Sequence, residues 1–84
     1  MNREQIKNKI VTIIEENILR RPISNKSEET VLGYEGLGID SLNFLKLLAE
    51  LEKELQIKIE DEYWDYNKLH TLEDVIEYLD SNIK

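Results

Sequence analysis

The stretch Gly36-Leu37-Gly38-Ile39-Asp40-Ser41-Leu42 decides the fold, because a loop ends and a strongly periodic helix begins within it. Its two glycines permit a sharp approach to the helix, since glycine tolerates backbone angles that other residues resist. Asp40 is a favoured N-cap residue, and the apolar repeat starts immediately after it. Ser41 is therefore predicted at the first helical position, beside amide groups that have no partner within the helix.

The position of Ser41 is that of a modification site. A phosphate on its hydroxyl would lie at the positive end of the helix dipole, where anions are stabilised. The alternative is an ordinary helix-opening serine, and Asp-Ser alone favours that alternative because short motifs often match by chance. A nucleophilic serine needs an adjacent base, yet the one histidine is His70 and no Gly-x-Ser-x-Gly elbow surrounds Ser41. Catalysis is the weakest of the three interpretations.

The motif and the sequence after it resemble the acyl and peptidyl carrier proteins. The resemblance covers most of the chain and is carried by the motif from Leu37 to Leu42 and by the apolar positions that follow it, namely Leu45, Leu48, Leu51, Leu55, Ile57 and Ile59. It implies that Ser41 carries covalent 4′-phosphopantetheine, whose thiol holds an acyl or aminoacyl group as a thioester. It also implies that Asp40 helps to position the motif for the transferase, and that the protein is not an enzyme.

The same resemblance predicts the partners. They would be a phosphopantetheinyl transferase and the acyl- or aminoacyl-loading and condensing enzymes. Leu42, Leu45 and Ala49 lie on the helix face opposite the core stripe, and together with Lys46 they are the expected partner-binding residues. Asn43 and Lys46 stand where housekeeping fatty-acid carriers tend to have acids. That difference favours a specialised pathway, in polyketide, nonribosomal peptide or cell-envelope chemistry.

Two rival functions belong to other classes. An unmodified helical interaction domain would use the face of Leu42, Leu45 and Ala49 to bind a protein, with Ser41 a plain cap residue. A small hydrolase built on Ser41 and His70 is the weaker of the two rivals.

Composition narrows the function classes further. The chain has 84 residues, which predicts a single domain over residues 1–84. The net charge of −7 disfavours nucleic acid and anionic membrane surfaces as partners. No cysteine is present, no apolar run is long enough to span a bilayer, and the N-terminus lacks the apolar core of a signal peptide. We therefore expect a cytoplasmic monomer without membrane insertion.

The periodicity predicts an all-α, acyl-carrier-like four-helix bundle with a long first loop. A first helix over residues 3–19 follows a capping pair, Asn2 and Gln5, and a second covers residues 41–55. Between them, residues 22–40 form the loop, with turn-forming residues at Ser24, Asn25, Lys26 and Ser27. A short helix is expected at residues 64–69, and a last helix begins after a cap formed by Thr71 and Asp74.

Helical spacing also predicts which side chains face the core. In the first helix they are Ile6, Ile10, Ile13, Ile14 and Ile18; in the second Phe44, Leu47, Leu48, Leu51 and Leu55; in the last Leu72, Val75, Ile76, Leu79 and Ile83. In the long loop, Ile23, Val31, Leu32, Leu37 and Ile39 are expected to pin the chain to the bundle.

The acidic and aromatic stretch at residues 60–66 is not a calcium loop. Counting from Asp61, the sixth position is Tyr66 instead of glycine and the twelfth is Leu72 instead of glutamate. No metal site is therefore expected. Tyr63, Trp64 and Tyr66 are predicted to cap a small core, and the sequence leaves open whether they help to shelter a bound acyl chain. His70 is expected on the surface or in the short helix.

Overall fold

Three α-helices make up most of the regular structure. The computed structural model describes residues 1–24 and 26–83, so Asn25, one of the predicted turn residues, lies outside the described residues. The helices are α1 (Arg3–Ile13), α2 (Ser41–Leu55) and α3 (Leu72–Ile83). Within the described part, the strand-like pairing is limited to one isolated antiparallel bridge between Val31 and Thr71. The predicted all-α class is confirmed.

The first helix begins with the predicted capping box. The Asn2 side chain accepts a hydrogen bond from the Gln5 amide at 2.8 Å, and the Gln5 side chain accepts one from the Asn2 amide at 2.9 Å. The helix continues beyond α1 as a π-helical turn, Ile14–Ile18, so its end agrees with the prediction although the geometry of its last turn does not. The sequence could not distinguish the two geometries, because Ile14 and Ile18 are buried in the π-helical turn as an α-helix would also require.

The three helices bury the predicted stripes against one another. Every predicted core residue of α1 and the π-helical turn is buried, and so are four of the five in each of the other helices. The exceptions, Leu55 and Ile83, are half-buried at the last positions of α2 and α3 and still pack against the core. The second helix has the bounds that the sequence predicted.

The long loop is fastened to the start of α3. The Leu72 amide donates to the Thr30 carbonyl at 3.0 Å, and the Leu32 amide donates to the His70 carbonyl at 3.0 Å. The predicted pinning residues behave as expected, with four of them buried and Val31 half-buried. The loop that leads to Ser41 is therefore part of the packed structure.

The short helix before α3 differs from the prediction. A single 3-10 turn, Asp61–Tyr63, lies earlier in the chain, and residues 64–69 form turns instead of a helix. The indole Nε1 of Trp64 donates to the Ile59 carbonyl at 3.0 Å, and the Asp65 carboxylate accepts from the Asn67 amide at 2.8 Å. Such local side-chain bonds offer the backbone an alternative to the helical ladder, so the predicted helix at 64–69 is wrong.

The structure makes opposite predictions for two threonines. The hydroxyl of Thr30 is buried and has no hydrogen-bond partner among the residues that the structure describes. The Thr71 hydroxyl, in contrast, caps α3 by accepting from the Asp74 amide at 3.1 Å. We expect Thr30→Val to raise the free energy of unfolding by about 1 kcal/mol, because it removes a buried polar group that no bond compensates. Thr71→Val should lower it by about 1 kcal/mol through loss of the cap.

Urea unfolding of both variants, with the exposed Thr12→Val as the control, measures these changes. A Thr30→Val protein that is destabilised as much as Thr71→Val would contradict the account of the Thr30 site.

Candidate attachment site

The start of α2 is held by a complete N-cap. Asp40 has extended backbone angles, and its side-chain Oδ1 accepts a hydrogen bond from the Asn43 amide at 2.8 Å. The Asp40 carbonyl accepts from the Phe44 amide at 2.8 Å and so begins the helical ladder. Ser41 is the first residue of α2, as predicted, and its side chain is exposed.

The cap leaves a positive end beside the Ser41 hydroxyl. Among the described residues, nothing accepts a hydrogen bond from the amides of Ser41 and Leu42. Free amides at a helix start, together with the helix dipole, favour an anionic group at that place. The geometry therefore suits a phosphate ester on Ser41.

The loop approaches α2 through a tight turn that depends on its glycines. The amides of Gly36 and Gly38 both donate to the Gly33 carbonyl, at 2.9 and 2.7 Å. Gly38 has a φ of +80°, and a Cβ atom on Gly36 would clash with the Val31 carbonyl. The sharp approach predicted from the two glycines is confirmed.

Two further residues fix this loop through contacts that were not predicted from the sequence. The Tyr66 hydroxyl accepts a hydrogen bond from the Gly33 amide at 2.9 Å. The Arg21 guanidinium donates to the Leu37 carbonyl at 3.3 Å. Both contacts join segments that are distant in the chain, so no local pattern could have predicted them.

The aromatic residues separate into two groups. Tyr66 and Trp64 lie beside Ser41 in clefts that adjoin α2, whereas Tyr63 packs on Tyr78 with ring centroids 4.4 Å apart, at another place. His70, expected on the surface or in the short helix, is half-buried next to Tyr66 with ring centroids 4.9 Å apart. The sequence missed this position of His70 because a single histidine carries no periodic signal.

Ser41 lies at the junction of two clefts. The loop-side cleft, of about 310 Å³, adjoins Ser41 on one flank and is lined by Gly33, Tyr34, Glu35, Ile39, Asp40, Phe44, Tyr66 and His70. The acidic cleft, of about 500 Å³, adjoins it on the other and is lined by Phe44, Leu45, Asp61, Glu62, Trp64, Asp65 and Tyr66. Phe44 and Tyr66 are common to both clefts, and their rings meet edge to face at 5.8 Å.

The remaining predicted site residues share the exposed side of α2. Leu42 is 79% exposed and Leu45 43% exposed, and Lys46 and Ala49 are exposed as well. Large exposed apolar side chains close together are a feature of surfaces that contact partners. The structure thus brings the four residues to the helix face that starts at Ser41.

Over residues 1–24 and 26–83, no three His, Cys, Asp or Glu side chains come together in a way that would hold a metal ion. No helix formed by these residues combines the length and the apolar character needed to cross a membrane.

Comparison with known proteins agrees with the geometry. The family described as phosphopantetheine attachment site matches residues 8–79, a range that includes the capped start of α2. The chain is 33% identical over 82 residues to an acyl carrier protein of Thermotoga maritima, covering 98% of this chain and 96% of the relative. It is 36% identical over 76 residues to an acyl carrier protein of Bdellovibrio bacteriovorus, covering 90% and 92%. The chain therefore belongs to the phosphopantetheine-binding family of acyl carrier proteins.

Proposed function

We propose that Ser41 is the residue to which 4′-phosphopantetheine is attached, and that the chain delivers acyl or aminoacyl groups to partner enzymes. The observation that carries the proposal is the exposed Ser41 hydroxyl at the capped, positively polarised start of α2. The family match supports the proposal, because its range includes this residue.

Membership of the family fixes the general class of function. Its members are carriers and not catalysts, they bear covalently attached 4′-phosphopantetheine, and they interact with a phosphopantetheinyl transferase and with acyl-handling enzymes. When attached, this group supplies the thiol that holds the cargo as a thioester. For the hydrolase alternative, Ser41 and His70 adjoin the same cleft, but no hydrogen bond joins the two side chains in the described structure.

The chain's own residues would prepare the site for modification. Asp40 keeps the first turn of α2 formed, so the Ser41 hydroxyl is presented at a fixed place. The negative charge of a phosphodiester would lie at the helix start, where such a charge gains about 0.3–1 kcal/mol at an exposed position. Asp40 would also help the transferase to recognise the motif.

The exposed side of α2 is the proposed docking surface. Leu42, Leu45, Lys46 and Ala49 would contact the transferase and, in turn, the loading and condensing enzymes. Their exposure next to Ser41 supports this assignment. Because each partner must bind and then release the carrier, the contact should be small and transient.

The biosynthetic pathway in which the carrier works is a separate and more specific proposal. Asn43 and Lys46 follow Ser41 within the first turns of α2 at positions where housekeeping fatty-acid carriers tend to have acids. We therefore favour a specialised pathway, in polyketide, nonribosomal peptide or cell-envelope chemistry. A single carrier domain over residues 1–84, working as a cytoplasmic monomer with neither nucleic acid nor membrane insertion, remains part of the same proposal.

Incubation of the purified protein with coenzyme A, magnesium and a broad-specificity phosphopantetheinyl transferase tests the attachment. We expect the intact mass to rise by one phosphopantetheinyl group in the wild type and in Ser81→Ala, an exposed serine on α3. Ser41→Ala should gain no mass, and its thermal stability should be nearly unchanged because the Ser41 side chain is exposed.

An unmodified wild-type protein would favour the rival interpretation, in which the chain is a helical interaction domain. Modification of Ser41→Ala would show that the attachment residue lies elsewhere.

The docking surface is tested by truncating its most exposed large side chain. We expect Leu42→Ala to lower kcat/KM of the transferase on the order of tenfold, because burial of a leucine against a partner contributes about 1.5–3 kcal/mol. Thr12→Ala is the control, since Thr12 is also an exposed helical residue but lies on α1. Equal kcat/KM values for the two variants would remove Leu42 from the proposed docking surface.

A further inference from the structure

The loop-side cleft opens directly beside Ser41. Its aromatic lining is not needed for the attachment of 4′-phosphopantetheine to the Ser41 hydroxyl. We propose that this cleft seats the first organic segment of the arm, the pantoyl unit that carries two geminal methyl groups next to the phosphate. The inference rests on attachment at Ser41, as proposed above. It goes further because it gives Phe44, Tyr66 and His70 a binding role.

Three of the rings that line the cleft form a continuous aromatic wall. Tyr66 lies between the other two, with its ring centroid 5.8 Å from that of Phe44 and 4.9 Å from that of His70. Phe44 is only 3% exposed, and Ile39, another lining residue, is also buried. Such a wall suits a compact branched apolar group, because pockets for small molecules combine apolar walls with a few polar groups.

The wall is formed before any ligand arrives. The Tyr66 hydroxyl is engaged by the Gly33 amide at 2.9 Å, which ties the ring to the opposite side of the cleft. The backbone of His70 is held at both ends, since its amide donates to the Asp74 carboxylate and its carbonyl accepts from the Leu32 amide, each at 3.0 Å. A preformed cleft loses little conformational freedom when it is filled.

The cleft is large enough for one segment of the phosphopantetheine arm but not for the whole arm. Its volume of about 310 Å³ lies at the lower end of the range of about 300–1,000 Å³ found for ligand pockets. The arm continues beyond the pantoyl unit through two amide-linked units to the thiol, so its distal part and the cargo would extend outside. The segment nearest to Ser41 is the one that can reach the cleft without folding back.

Charge separates the loop-side cleft from the acidic cleft. The acidic cleft has three carboxylates, on Asp61, Glu62 and Asp65, beside the place where the negative phosphodiester would sit, and that of Glu62 is paired with the Lys68 ammonium at 2.9 Å. The loop-side cleft has two, and the carboxylate of one of them, Asp40, already accepts the hydrogen bond of the helix cap. The acidic cleft therefore presents the larger number of carboxylates to the phosphodiester, and because like charges repel, this difference favours the loop-side cleft as the place where the arm begins.

The experiment uses ¹³C,¹⁵N-labelled protein converted to the phosphopantetheinyl form with unlabelled coenzyme A, and the conversion is verified by intact mass. In a filtered nuclear Overhauser experiment, we expect cross-peaks from the two geminal methyl groups to ring protons of Tyr66 and His70. The methyl resonances should also shift upfield from those of free phosphopantetheine, because they lie against aromatic rings.

Two matched variants separate the clefts, since His70 lines only the loop-side cleft and Trp64 only the acidic cleft. His70→Leu should reduce the upfield shift, and Trp64→Leu should leave it unchanged. Methyl resonances at their free positions without cross-peaks would show an arm in solvent and overturn the inference, as would cross-peaks to Trp64 alone. A wild-type protein that gains no mass would instead refute the attachment at Ser41, and with it the binding of the pantoyl unit in the loop-side cleft.

Discussion

The hydrogen bond from the Asn43 amide to the Asp40 carboxylate, 2.8 Å long, is the contact on which the site depends. It fixes where α2 begins and therefore which residue stands at the first helical position. Without such a cap, the first turn of a helix has amide groups with no partner and tends to fray. The cap keeps the Ser41 hydroxyl exposed and in one place. The amide groups of Ser41 and Leu42 favour a negative charge beside that hydroxyl.

The cap would have little effect if the loop before it were mobile, and several contacts order that loop. Side chains near its beginning, its middle and its end are buried, namely Ile23, Leu32 and Ile39. Backbone bonds tie it to the start of α3, and the bond of Gly33 to Tyr66 ties it to the segment before α3. Ordering so many residues costs conformational entropy, which burial of the apolar side chains offsets. The result is a surface loop that forms one wall of a cleft at Ser41.

Much of this arrangement could be predicted from the sequence. The bounds of α2 and the role of Asp40 followed from a cap residue directly before a strong helical repeat, and the buried stripes followed from the same periodicity. The π-helical turn could not be predicted, because both helix geometries bury Ile14 and Ile18. The helix expected at residues 64–69 was wrong, and within that stretch the Asp65 carboxylate, instead of a helical carbonyl, accepts the bond of the Asn67 amide. The clefts at Ser41 depend on contacts between distant segments, and no local pattern encodes them.

The protein isolated from its own source offers the most direct test of the central claim, that Ser41 is a tether for a thiol-bearing arm. Tryptic digestion and fragment-ion mass spectrometry would locate any added group on the peptide that contains Ser41, and the intact mass would reveal the cargo. The account predicts a phosphopantetheinyl group, with or without an acyl or aminoacyl group, on Ser41 itself. An unmodified Ser41 in protein from cells that contain an active transferase, or the group on another residue, would contradict it.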